Sequence, residues 1–205
     1  MASSSSPSRY GALLQGFSFY GAYHSNLTNQ LIHAAFVPTI VGTALVLLTG
    51  VRAPLPPLPA ALARALPAAP SVATVAAPAL ALYYVQLTAR AGLPAVGLGA
   101  GAMVLALWRG AEAFVAASGG FAQAWRPALA RHALAGVAQF VGHGAFEGRA
   151  PALLTNLFDA LVMAPLFVFI EGVFWLGGLA DFRRASQAEI DKQLAAFAAS
   201  KRKAA

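Results

Sequence analysis

From Leu31 to Val51 the chain runs without a single Asp, Glu, Lys or Arg, and it does so again from Ser71 to Ala89. Two further stretches come close. Leu93–Ala117 carries only Arg109 and Glu112, and Leu157–Leu179 only Asp159 and Glu171. The hydrocarbon core of a bilayer is crossed by about 20 helical residues, so each of the four is long enough to span it. In the whole chain 10% of residues are charged, against about 25% in soluble domains. So few charges cannot coat a water-facing surface, and the exterior must face something apolar. Transmembrane β-barrels instead alternate apolar and polar residues in pieces of about ten. The expected fold is therefore all-α, a polytopic transmembrane helical bundle of four to five apolar segments. The fifth, His132–Phe146, is short for a span, and the polar run Gln123–Arg131 precedes it.

The rest of the chain divides around these segments. Residues 1–15 read as a disordered N-terminal lead, Ser-rich at its start and without the charged-then-apolar layout of a secretory signal. Residues 16–180 form one membrane-embedded domain. Six prolines between Arg52 and Pro70 forbid a regular helix there, so 52–70 is a loop. Residues 181–205 are a basic helical tail. Cytoplasmic flanks favour Lys and Arg, which places this tail in the cytosol. Arg9 puts the N-terminus on the same side, which calls for an even number of crossings and favours four. The net charge of +7 comes from basic residues scattered singly or gathered at the C-terminus. Nucleic-acid binders cluster theirs on one face, so no nucleic-acid partner is expected.

The chain has no cysteine, which excludes disulfides and thiolate metal ligands. It has four histidines, His24, His33, His132 and His143, all in or beside apolar segments. Asn26 is a natural helix N-cap. Asn29 and His33 are then neighbours on one helical face. His24 and His33 would point in opposite directions on one continuous helix, but a cap between them lets His24 fold back toward His33. His132 and His143, three turns apart, point the same way but are separated by roughly 16 Å of rise. They cannot both reach one metal at about 2 Å. Either the helix breaks at Gly136 or Gly142, or one of the two positions a ligand from behind, or there are two centres.

Other polar groups stand out against this background. Glu147 follows His143 by four residues, close enough to share a metal on a helix face, although the flanking glycines equally allow a bent backbone. Glu171 lies deep in an apolar stretch, where an ionisable group is costly and marks function by default. Plainer roles compete. Histidines in membrane helices often serve as hydrogen-bonded helix contacts. Asn26 and Asn29 cap helices, Glu147 and Arg149 form a solvated pair, and Glu171 pairs with Arg109. Arg109 and Glu112 also have the spacing to neutralise each other. The tight histidine clusters of membrane di-iron desaturases are missing, as are metalloprotease, P-loop and dinucleotide-binding motifs. Neutral imidazoles with open coordination positions suit ferrous iron.

Three blocks resemble the 2-hydroxy-fatty-acid dioxygenase family once called domain of unknown function 962. The first is Tyr23-His24 with Asn29, His33 and Pro38. The second runs from His132 through Gly136, Gln139-Phe140, Gly142-His143-Gly144, Phe146-Glu147 and Arg149 to Pro151-Ala152-Leu153. The third is Ala164-Pro165, Phe167-Val168 and Glu171. Together they cover residues 16–180. The family often has Trp where Val137 stands, and its Pro-rich loop is usually shorter; neither departure touches a histidine.

The resemblance implies an Fe2+-dependent dioxygenase that uses O2 to shorten 2-hydroxy long-chain fatty acids by one carbon, a step in phytosphingosine breakdown. It implies His24, His33, His132 and His143 as metal ligands, with Asn29, Glu147 and Glu171 supporting them. Arg149, Tyr23 and Gln139 would bind substrate. The expected setting is the endoplasmic reticulum membrane, among lipids, and Lys201 and Lys203 resemble a dilysine retrieval signal. Two other classes predict different observables. A bis-histidine haem protein would show a Soret band, and a structural membrane protein would hold no stoichiometric metal.

Overall fold

The computed structural model describes residues 9–53, 64, 70–148 and 159–204. Seven α-helices follow one another among them: α1 (Gly11–Tyr23), α2 (Leu27–Thr49), α3 (Val72–Arg90), α4 (Pro94–Ala117), α5 (Phe121–Val141), α6 (Ala164–Trp175) and α7 (Ala180–Ala204). A π-helical turn, Gly142–Glu147, continues α5, and a second, Asp159–Met163, leads into α6. No strand occurs among the described residues; an isolated bridge joins Arg52 to Ser71. The all-α bundle expected from the apolar runs is the fold. Helices α2, α3 and α4 are each long and apolar enough to cross a membrane. A fourth crossing is added if Leu161–Trp175 and Ala180–Ser200, bent by 117°, form one broken span.

Local chemistry sets the helix starts. The Asn26 side chain accepts from the Thr28 N–H at 2.9 Å and so caps α2 as anticipated. Ser71 and Thr74 exchange side-chain and backbone bonds at the start of α3, satisfying two backbone donors that a helix leaves open. Pro94 opens α4, where its missing N–H costs nothing. Gly119 and Gly120, at φ +81° and +113°, turn the chain between α4 and α5 through a region that other residues avoid.

Helix α2 is the hub, packing against α3, α4, α5 and α6. The tightest pair is α3 with α4. A Cβ at Gly97 would lie 2.1 Å from Thr88 Oγ1 and 2.7 Å from the Tyr84 carbonyl, so only glycine allows this approach. Small residues let helices associate where lipid tails remove the hydrophobic drive between them. The surface left outside is apolar, with Leu98 62% and Leu134 66% exposed. Arg109 and Glu112 pair with each other at 2.5 Å, so Glu171 does not use Arg109.

The structure defines three segments further. The polar run Gln123–Arg131 forms the first half of α5, in one helix with His132. Ala124 and Ala128 bury one face of it while the polar residues point outward. Leu157–Leu179 is not one continuous helix. A π-helical turn precedes α6, and Gly177 at φ +81° and Leu179 at φ +57° turn the chain after it. The tail forms α7 and is docked. Phe182, Ser186 and Ile190, spaced by four, are buried where α7 packs on α1, and Phe182 meets Tyr10 edge-on at 4.9 Å. Helix α1 begins at Gly11, so part of the expected lead is ordered helix. Residues 1–8 of that lead, most of the 52–70 loop and Arg149 lie outside the described residues.

Candidate metal centre

The corner between α1 and α2 makes the site. His24 ends α1, with its N–H bonded to the Gly21 carbonyl and its backbone at φ −130°, ψ 51°. Asn26 then restarts the helix two residues later. This break turns the His24 ring back toward His33, about two turns into α2, with ring centroids 4.2 Å apart. The third ring comes from a distant part of the chain, just past the C-terminal end of α5. Helix α5 runs straight through Gly136 and changes geometry at Gly142, where the π-helical turn brings His143 within 4.7 Å of His24 and 4.9 Å of His33. Isolated π-helical turns are rare and often mark functional sites. The three rings stand nearly perpendicular to one another, at 72–81°. One ring nitrogen from each lies within 4.8 Å of the other two, and all three residues are buried.

Hydrogen bonds fix which nitrogens are offered. The His24 Nδ1–H donates to the Tyr20 carbonyl at 2.7 Å, and the His33 Nδ1–H to the Asn29 carbonyl at 2.9 Å. In each case the ring reaches one turn back along its own chain. A carbonyl can only accept, so Nδ1 carries the proton in both, and the Nε2 lone pair is left for a metal. His24 Nε2 and His143 Nδ1 are buried with no protein partner. Burial is costly for such atoms unless something else satisfies them. Burial also pushes His24 well below the ordinary histidine range, helped by His33, and lowers His143 too. Neutral imidazoles are the ligand form. The donor set fits a divalent transition metal.

The carboxylates stand behind the rings. Glu147 accepts from Ser25 Oγ at 2.9 Å, from the Asn26 N–H at 2.8 Å and from Asn29 Nδ2 at 3.3 Å. It ties the π-helical turn to the α1–α2 corner. Asn29 is completely buried, and it also reaches the Tyr23 carbonyl. Glu171 accepts from the Tyr20 hydroxyl at 3.0 Å. The Tyr20 ring stacks on His24 at 3.8 Å and 16°. Burial, and then the neighbouring Glu171, push the Tyr20 phenol well above its usual range, so it remains a donor. Tyr20 did not stand out in the sequence. Its one signal there is its position one turn before His24.

A cavity of about 220 Å³ opens beside the triad. Its lining is mainly apolar, from Val37, Ile40 and Val41 on α2, Phe140 on α5, and Pro165 and Phe167 on α6. Gln139 also lines it, and its Nε2 is buried without a partner. His132 lines the cavity away from the triad. Its Nδ1 is 3.0 Å from Thr43 Oγ1. The threonine hydroxyl gives its own proton to the Thr39 carbonyl at 2.7 Å, so the imidazole is the donor. Three of the four histidines thus converge and the fourth does not. Tyr23 packs against Phe19 and Phe197 outside the cavity.

The chain matches the family model described as 2-hydroxy-palmitic acid dioxygenase Mpo1-like over residues 11–174. It is 33% identical over 165 residues to the 2-hydroxy-palmitic acid dioxygenase MPO1 of Saccharomyces cerevisiae, covering 78% of each chain. No solved structure gives a significant match. The family match spans all three converging histidines and the helices that carry them, and on that ground the chain belongs to the Mpo1-like family of 2-hydroxy-palmitic acid dioxygenases.

Proposed function

We propose that this protein is an Fe2+-dependent dioxygenase that converts 2-hydroxy long-chain fatty acids to the acid one carbon shorter, working in the endoplasmic reticulum membrane. The carrying observation is a buried three-histidine cluster at one end of an apolar cavity. The relative in yeast supports the substrate class. The oxidation balances with one O2 per 2-hydroxy acid: the shortened acid forms, the lost carbon leaves as CO2, and water completes the account.

His24, His33 and His143 would hold the iron, which when bound supplies Lewis-acid and redox chemistry and open positions for oxygen ligands. The protein's own part is positioning and exclusion of water. Asn29 and Tyr20 hold two rings through their carbonyls. Glu147 braces the corner. Gln139 lies one turn from His143, and its unpartnered amide suits a carboxylate or hydroxyl oxygen of the substrate. The apolar walls receive the alkyl chain. His132, bonded to Thr43, serves as a cavity wall. Arg149 is kept as a candidate partner for the carboxylate. The cluster argues against bis-histidine haem, because rings 4.2 Å apart leave no room for a porphyrin between them.

Metal analysis of the purified protein, joined to an aerobic assay on 2-hydroxypalmitate, tests this. One iron per chain and a pentadecanoate product are expected, with both lost in His33→Ala and His143→Ala. Full activity in those two variants would refute the metal centre.

A further inference from the structure

Gly136 lines the cavity beside the triad, partway between His143 and His132. His132, Gly136, Gln139, Phe140 and His143 line one wall. They recur at helical spacing, so they share one face of α5 and of the π-helical turn that continues it. His33, Val37, Ile40 and Val41 line the other wall with the same spacing on α2. The helices run antiparallel. His33 faces His143 at one end, and Thr43 bonds His132 at the other. The eleven residues from His132 to His143 rise roughly 16 Å. Polar groups cluster at the two ends, and the middle is apolar.

Gly136 is two turns from His143, about 10 Å along the slot. That is the depth reached by roughly the eighth carbon of an extended chain whose oxygens sit at the triad. A Cβ at Gly136 would meet nothing within 4 Å. This separates it from Gly97 and Gly142, where a Cβ would collide with Thr88 and Asn29. Glycine inside a helix is destabilising relative to alanine. At Gly97 and Gly142 close packing explains it; at Gly136 no protein atom fills the space.

We propose that Gly136 is a specificity-determining residue, keeping the slot between α2 and α5 open for alkyl chains longer than about eight carbons. This rests on the proposed 2-hydroxy-acid substrate. A larger side chain at 136 projects into the slot and stops the chain short of the His132–Thr43 end.

The test compares wild type with Gly136→Leu on 2-hydroxyoctanoate, 2-hydroxydodecanoate and 2-hydroxypalmitate. Gly136→Met, with a flexible helix-forming side chain, replaces the leucine variant if that one does not fold. The ratio of kcat/KM for palmitate-length to octanoate-length substrate should fall at least about tenfold, the scale at which pockets discriminate by chain size. Iron content should be unaltered. Binding to metal-free protein, read by displacement of a fluorescent fatty acid, should weaken for the long acid and persist for the short one. An unchanged chain-length profile in both measurements overturns the proposal. Failure of the wild type to oxidise any of the three acids defeats the proposed reaction, while the binding measurement still decides the slot.

Discussion

His132 and His143 share one face of one helical segment yet belong to different ends of the cavity, His132 giving its Nδ1–H to Thr43 Oγ1 at 3.0 Å and His143 meeting His24 and His33. Distance separates their roles, since eleven residues of helix cannot be shortened to metal-ligand range. His132→Ala should therefore keep its iron while His24→Ala, His33→Ala and His143→Ala lose it, as read by metal analysis of each purified variant. Iron lost from His132→Ala to the same degree as from His33→Ala would put the fourth histidine back among the ligands.

Glu147 joins two distant parts of the chain through three accepted hydrogen bonds. Glu147→Ala leaves the Asn26 N–H and the Asn29 amide without this acceptor. Hydrogen bonds to charged groups contribute about 1.5–3 kcal/mol, so the melting temperature should drop by several degrees and iron occupancy with it. Glu147→Gln keeps an acceptor oxygen and should recover part of both. A thermal melt indistinguishable from wild type in the alanine variant would show the brace to be idle.

Gly142 stands where α5 gives way to the π-helical turn, and a Cβ there would fall 2.3 Å from Asn29 Oδ1. Asn29 is fully buried and its carbonyl holds His33, so it has nowhere to retreat. Gly142→Ala should cost about 1–3 kcal/mol, as overpacking does, and should weaken iron binding. Normal metal content in a variant of wild-type stability would contradict the close approach.

Stability of the metal-free protein should depend on pH through His24 and His143. Burial lowers both in the folded state, whereas the unfolded chain titrates near 6.5. The folded form therefore binds fewer protons. Stability is highest above roughly pH 6.5 and falls as the pH drops through that value toward the folded-state values. Iron should be released over the same acidic range, since protons and metal compete for the same lone pairs. Denaturant melts between pH 8 and 5 would follow this, and a midpoint that rose on acidification would reverse the sign.

Much of this was legible in the chain itself. Spans such as Leu31–Val51 could be read because a bilayer demands long uncharged runs, and that demand acts on consecutive residues. The Asn26 cap, and the return of His24 toward His33 that it permits, are likewise local. What lies between residues far apart in sequence was decided only by tertiary packing. The antiparallel pairing of α2 with α5 chose His143 over His132, and the π-helical turn at Gly142 aimed it. The pairing of Tyr20 with Glu171 and the bracing of the corner by Glu147 joined groups more than a hundred residues apart. Helical periodicity states which residues share a face; it does not state which other helix that face will meet, and a histidine cluster built from three separate segments depends on that meeting.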